Sequence, residues 1–324
     1  MTKKNMGTLY IDRKDIVIKL DGNALAFYAN GEREGSVPIK PLKRVIITGN
    51  IMLETSVLHR LANEDISVLL LSGKRQRFCG MLHGRLHNNG LLRVRQYEKS
   101  LTSFHKEIAV YIVRKKIISQ RQLLVDVIER RPDLRLPLTN AVGVLTHVLE
   151  KIVRESPEMD SLRGLEGGAS ASYFSAYITM FPDSLEFKKR NRRPPEDPVN
   201  AMLSLCYTLL HYEMVREIEV IGLDPTIGFY HQFEYGRESL ACDLVEPYRP
   251  DVDRFVWEIF RDRVFTSRDF AEADERPGCY LKKESRKRFY PVYEEWAQNM
   301  RPLWIEEVRG LARRIVDGQD TLSE

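Results

Sequence analysis

The residues best suited to chemistry lie between Gly228 and Glu246, in the stretch GFYHQFEYGRESLACDLVE. It holds an imidazole, His231, a turn signal at Tyr235-Gly236-Arg237, a short apolar run from Ser239 to Cys242, and two carboxylates three residues apart, Asp243 and Glu246. Residues spaced i and i+3 share a face of a helical turn, so the two acids can point into one pocket. A neutral imidazole with carboxylates suits a catalytic divalent metal whose remaining positions stay open for water or phosphate. The same residues also suit a packed, hydrogen-bonded histidine, and this stretch alone leaves both readings open.

Length and composition narrow the context. A chain of 324 residues, 43% hydrophobic and 30% charged, has room for two globular domains, each with its own core. Its longest apolar runs, such as Ile66 to Leu71, are too short to span a bilayer, and Met1-Thr2-Lys3-Lys4 leads straight into strand-like sequence. The expectation is a cytoplasmic protein with no membrane partner. Cys79, Cys206, Cys242 and Cys279 are scattered without a CxxC pair, which argues against a zinc knuckle or a disulfide framework. Net charge is only +4, but its distribution is uneven. Residues 1–88 carry 14 Lys+Arg against 8 Asp+Glu, residues 106–131 carry 7 against 3, and five of the six residues from Lys188 to Arg193 are basic. Such clusters can track a phosphate backbone, and each is equally readable as a solvated face.

The elements that must position these groups fall into two parts. Thr8 to Ile11, Ile16 to Leu20 and Ala24 to Tyr28 read as strands separated by the hairpin signals Asp21-Gly22 and Asn30-Gly31. Val45 to Thr48, Ile66 to Leu71 and Gln76 to Met81 continue the pattern, with one helix marked by Leu53, Val57, Leu58 and Leu61. After His87-Asn88-Asn89-Gly90 the pattern becomes helical: Tyr97 to Arg130, Leu138 to Arg154, and a helix capped at Asp160 with the stripe Leu162, Leu165, Ala169, Tyr173 and Tyr177. Glu166 lies at the edge of that stripe, and the small residues from Gly167 to Ser172 suit close approach of a backbone or ligand. Asp197-Pro198 starts another helix that Gly222 stops, Val252 to Phe260 is helical, and Ser285 to Trp296 and Leu303 to Val316 close the chain. The fold class is therefore α+β. A strand-rich domain over residues 1–88, with one helix, precedes a larger all-helical domain over 89–324.

Several ordered motifs resemble the CRISPR-associated integrase/endonuclease family of the spacer-acquisition machinery. They are Leu165-Glu166-Gly167 followed by Tyr173-Phe174, the run RRPPEDPVNAMLS from Arg192 to Ser204, Gly228-Phe229-Tyr230-His231, and LACDLVEPYRP from Leu240 to Pro250. The N-terminal run from Val37-Pro38-Ile39 through Gly49 to Leu69-Leu70-Leu71 is similar to the family's strand-rich domain. The resemblance implies a homodimer, formed through the strand-rich domain, whose helical domain nicks or cleaves DNA with Mg²⁺ or Mn²⁺. It also implies that new spacer DNA is joined to the repeat array together with a small ferredoxin-like partner protein. The family's metal ligands match Glu166, His231 and Glu246, and its assisting acid matches Asp243.

The chemistry agrees with that assignment. Joining a DNA 3′-hydroxyl to a phosphodiester needs in-line attack, neutralised phosphate oxygens and a stabilised leaving oxygen, and a metal on two carboxylates and an imidazole can supply all three. No G-x-S-x-G elbow is present, and Ser170 and Ser239 have no base partner visible in the sequence. Lys188, Lys189, Arg190, Arg192, Arg193, Arg249, Arg286, Lys287 and Arg288 are candidates for binding DNA phosphates, alongside Lys282 and Lys283. Asn200 can orient a water or phosphate, or serve as a capping or core polar group. The chain departs from the family at Gly168 and Ser170, where arginine is common, at Ser285, which replaces a commoner glycine, and at Pro247. If Asp243 caps a helix, Pro247 falls in its tolerated first turn. The departures at 168 and 170 also leave room for another class, a DNA-binding scaffold with an inactive or accessory metal centre.

Overall fold

Alternating apolar side chains and tight turns build the first part of the chain. In the computed structural model, the described residues are 7–72, 77–84, 89–191, 194–231, 233–273 and 276–317. The first elements are β1 (Thr8–Ile11), β2 (Ile16–Asp21), β3 (Ala24–Ala29), β4 (Glu32–Pro38), β5 (Arg44–Ile47), β6 (Met52–Leu53), α1 (Thr55–Asn63), β7 (Ser67–Ser72) and β8 (Arg77–Leu82). Asn30 and Gly31 both take positive φ, 51° and 83°, the geometry that a two-residue hairpin between β3 and β4 requires. One sheet has the order β4-β3-β2-β6, antiparallel except where β2 meets β6. The other runs β1-β5-β7-β8, with β1, β5 and β7 parallel and β8 antiparallel to β7. Ile16, Ile18, Leu25, Val45, Val57, Leu61 and Val68 share one buried core. The expected strands and helix are present. β4 and β6 went unread because the exposed EREGS of β4 shows no apolar alternation and β6 is two residues long.

The chain divides into two compact units, Met1–His87 with Lys283–Asn299, and Asn88–Lys282 with Met300–Glu324. The expected boundary near residue 88 had placed 283–299 with the helices. They belong to the first unit, where Tyr10 of β1 stacks on Tyr290 at 4.1 Å and its hydroxyl donates to Glu294 at 3.0 Å.

The second unit contains α2 (Gly90–Ser100), α3 (Phe104–Arg130), α4 (Arg135–Glu155), α5 (Met159–Ile178), α6 (Pro198–Ile221), α7 (Ser239–Val245), α8 (Arg249–Arg261) and the hairpin of β9 (Phe270–Ala273) with β10 (Arg276–Leu281). That hairpin corrects the expectation of an all-helical domain. The helix expected over Tyr97 to Arg130 is two helices, because the Ser100 and Thr102 hydroxyls donate back to Tyr97 O and Lys99 O and close the first. Conversely, the two expected terminal helices are one, α9 (Lys283–Asp317), which runs through Pro291 and Pro302. The buried residues Phe289, Tyr293, Ala297, Trp304, Val308 and Leu311 recur at helical spacing and offset the missing backbone donors. Glu158, not Asp160, occupies the N-cap position of α5, whereas Asp197 caps α6 by accepting from the Asn200 N–H. Gly222, at φ 95°, stops α6 as expected. No helix among the described residues is long and apolar enough to cross a membrane.

Candidate metal and DNA-processing site

Within the second unit, α3 packs on α4, α5 and α8, and its inward stripe is Ile108, Ile112, Val113, Lys116, Ile117, Gln120, Leu123 and Leu124. A lysine and a glutamine on such a stripe are the sequence signal that marks a polar site. The Lys116 ammonium contacts Glu166 Oε1 of α5 and lies 2.6 Å from Glu246 Oε2. Ser170, one turn on from Glu166, donates to the same Glu166 oxygen at 2.8 Å. Arg249 Nε reaches the other oxygen of Glu246 at 2.7 Å. Burial alone would push the Glu246 carboxyl up, but the Arg249 and Lys116 charges hold it well below the ordinary carboxylate range. Burial likewise opposes the Lys116 charge, and Glu246 and Glu166 more than restore it.

His231 is placed by a separate device. Asp243, fully buried, accepts the backbone N–H groups of Phe229, Tyr230 and His231 at 2.6, 2.9 and 2.8 Å and faces His231 Nδ1 at 2.7 Å. In a neutral imidazole this hydrogen bond places the proton on Nδ1 and leaves the Nε2 lone pair free. A carboxylate on one ring nitrogen fixes the direction of the imidazole so that its other nitrogen can face a ligand. Asp243 and Glu246 keep helical backbone between them but divide the work, Asp243 holding the His231 loop and Glu246 meeting Lys116 and Arg249. Asp243 lies inside α7 rather than capping it, and Glu246 opens a 3-10 turn, Glu246–Tyr248, in whose first positions Pro247 is tolerated.

Two further residues hold the His231 loop. Gln96 of α2 donates to Asp224 O and Ile227 O, both at 2.9 Å, and accepts from Asp224 N at 2.8 Å; nothing in the sequence signals this. At Gly228, a Cβ would stand 2.8 Å from the Ser239 carbonyl carbon and 2.9 Å from Asp243 Oδ2. Gly228→Ala is thus expected to push the loop off α7, destabilising the protein by about 1–3 kcal/mol and lowering nuclease activity; thermal melts and plasmid nicking would measure both.

A third cluster lies behind the site. Asp253 of α8 accepts from the Tyr173 hydroxyl at 2.8 Å and from Tyr207, while Arg249 lies 4.6 Å from the Tyr207 ring centroid. Burial pushes the Asp253 carboxyl up to about 6, despite the tyrosine hydrogen bonds. The folded state then binds a proton that the unfolded state has released, so this group makes stability fall as pH rises through its folded pKa. Asp253→Asn is expected to flatten the decline of melting temperature between about pH 4 and 7, a change worth up to about 3 kcal/mol. Glu246 acts in the opposite sense. Its stabilisation is complete above about pH 4.5 and is lost as pH falls toward its depressed value.

The basic candidates separate by environment. Lys188 and Lys189 are exposed, whereas Arg190 reaches Asn200 Oδ1 at 2.6 Å. Arg192 and Arg193 lie outside the described residues. Fully buried Asn200 also donates to Lys189 O at 2.8 Å, so it ties the basic loop to α6 rather than facing a phosphate. Arg249 is engaged with Glu246, and Arg286 pairs with Asp12 at 2.7 Å in the first unit, so neither is a free phosphate grip. Lys287, paired with Glu284, and Arg288 are exposed there. Gly167 and Gly168 are exposed, and among the described residues no other backbone approaches a Cβ placed on either, so of the two expected uses the approach of a ligand stays open.

Among the described residues no three His, Cys, Asp or Glu side chains are grouped closely enough to hold a metal ion. The donors nonetheless fit one chemically, because a cation already bridges Glu166 and Glu246 and His231 Nε2 keeps its lone pair.

The family described as CRISPR associated protein Cas1 matches residues 9–295. A CRISPR-associated endonuclease Cas1 from Thermodesulfovibrio yellowstonii is 55% identical over 318 residues, 98% of this chain and 100% of that protein. The structure of a Cas1 protein from Thermotoga maritima is similar at a TM-score of 0.84 and 25% identity, covering 98% of this chain and 100% of that one. A chain of a Cas6-RT-Cas1–Cas2 complex matches at 0.82 and 25% identity, with 99% of this chain covering 36% of that one. This chain belongs to the Cas1 family of CRISPR-associated endonucleases. The family also implies a divalent metal.

Proposed function

We propose that Glu166, His231 and Glu246 hold the divalent cation, Mg²⁺ or Mn²⁺, at which DNA strands are cut and joined. The observation that carries this reading is the pair of carboxylates, one from α5 and one following α7, already held together by a cation. When bound, the metal would polarise the phosphodiester and stabilise the attacking and leaving oxygens. Asp243 fixes the tautomer and direction of His231, and Arg249 holds Glu246 from behind. No protein nucleophile is needed, since the DNA 3′-hydroxyl or water attacks.

The exposed Lys188, Lys189, Lys287 and Arg288, with Arg192 and Arg193, would bind phosphates, and Arg190 with Asn200 would shape the loop that presents them. The strand-rich unit would serve a homodimer, covering sheet edges that otherwise stay open. A small ferredoxin-like adaptation protein would complete the assembly; a Cas1-containing chain similar to this one is found in a complex with Cas2, which supports a protein partner. The test is nicking of supercoiled plasmid with Mg²⁺, Mn²⁺ or EDTA, using wild-type protein and Glu166→Gln. Metal-dependent nicking confined to wild type is expected; equal nicking by Glu166→Gln would refute the ligand assignment.

A further inference from the structure

The divalent-metal reading leaves Lys116 without a role. Its stem is packed in the α3 stripe between Val113 and Ile117, and its side chain is only 11% exposed. Its ammonium meets one oxygen each of Glu166 and Glu246, while Ser170 donates to that same Glu166 oxygen and Arg249 takes the other oxygen of Glu246. A cation shared by Glu166 and Glu246 needs lone pairs that this ammonium now uses. It would also bring two positive charges to the place where one already sits, and like charges a few ångströms apart in a poorly solvated site repel strongly. Without any cation, the two carboxylates would face each other at high cost. Lysine is suited to this position because its single charge sits on a flexible four-carbon stem.

We propose that Lys116 is a resident counter-ion of the metal site: it holds Glu166 and Glu246 together before metal binds, and it leaves them when a divalent cation takes its place. Lysine and metal then compete for the same two carboxylates, which sets the metal affinity of the free protein and keeps the acids paired until loading. This inference rests on the metal-site reading above.

The experiment has two arms. In the first, wild-type protein is acylated with an N-hydroxysuccinimide ester, with and without saturating Mn²⁺, and labelling of each lysine is read by peptide mass spectrometry. Lys116 is expected to be protected without metal and labelled severalfold faster with it, while exposed Lys40 changes little. Unchanged or deeper protection of Lys116 in Mn²⁺-saturated protein would overturn the proposal, since a purely structural ion pair behaves that way. In the second arm, calorimetry measures Mn²⁺ binding to Lys116→Met. Affinity is expected to tighten by about ten- to a hundredfold, the range over which neighbours of metal ligands tune a site, with a lower melting temperature that Mn²⁺ restores. Unchanged or weaker binding by the folded variant would overturn it, and if the variant does not fold, the wild-type arm decides. Mn²⁺ binding that is equal in wild type and Glu166→Gln would instead refute the metal site itself.

Discussion

Asp243→Ala is expected to lower stability by about 3–5 kcal/mol and to reduce DNA cleavage by about a hundredfold. The carboxylate is fully buried and collects three successive backbone N–H groups and the His231 imidazole. Alanine leaves all four donors unsatisfied in a site closed to water, and each orphaned group carries its desolvation cost. His231 then loses both its tautomer preference and its direction. Denaturant unfolding and plasmid nicking measure the two effects, and a variant as stable as wild type would refute this view of the loop.

Glu246→Gln is expected to reduce cleavage by about a thousandfold, near 4 kcal/mol of barrier, while Mn²⁺ affinity falls. An amide is a far poorer ligand than a carboxylate, and it leaves Lys116 with Glu166 alone and Arg249 without its ion-pair partner. Calorimetry alongside single-turnover cleavage would show whether both fall; retained Mn²⁺ affinity would remove Glu246 from the ligand set.

The sequence made the strands legible because β2, β3, β5 and β7 carry apolar patterns and Asn30-Gly31 admits one kind of turn. It hid α9 as one helix because Pro302 reads locally as a break, while burial of Trp304 and Val308 acts over a longer range. At the site, the order of Glu166, His231, Asp243 and Glu246 was readable as motif. The division of labour between the two acids was not, because i,i+3 spacing shows a common face but not which partners each carboxylate meets. Lys116 was visible only as part of a basic count. Its position between Val113 and Ile117 on an apolar stripe held the information, and the partner fifty residues away that explains it comes only with the fold. Arg249 and Arg286 read as phosphate grips because sequence shows a charge but not the carboxylate already paired with it.

The measurement that tests the central claim most directly is strand transfer. Labelled duplex DNA with free 3′-hydroxyl ends is mixed with a supercoiled repeat-bearing plasmid and Mn²⁺, using wild-type protein and His231→Ala, each with and without a small adaptation partner. Label joined to plasmid by wild type alone is the expected result, with His231→Ala still binding the DNA. Joining by His231→Ala at the wild-type rate would contradict the account, because the chemistry would then run elsewhere than the imidazole that Asp243 holds in place.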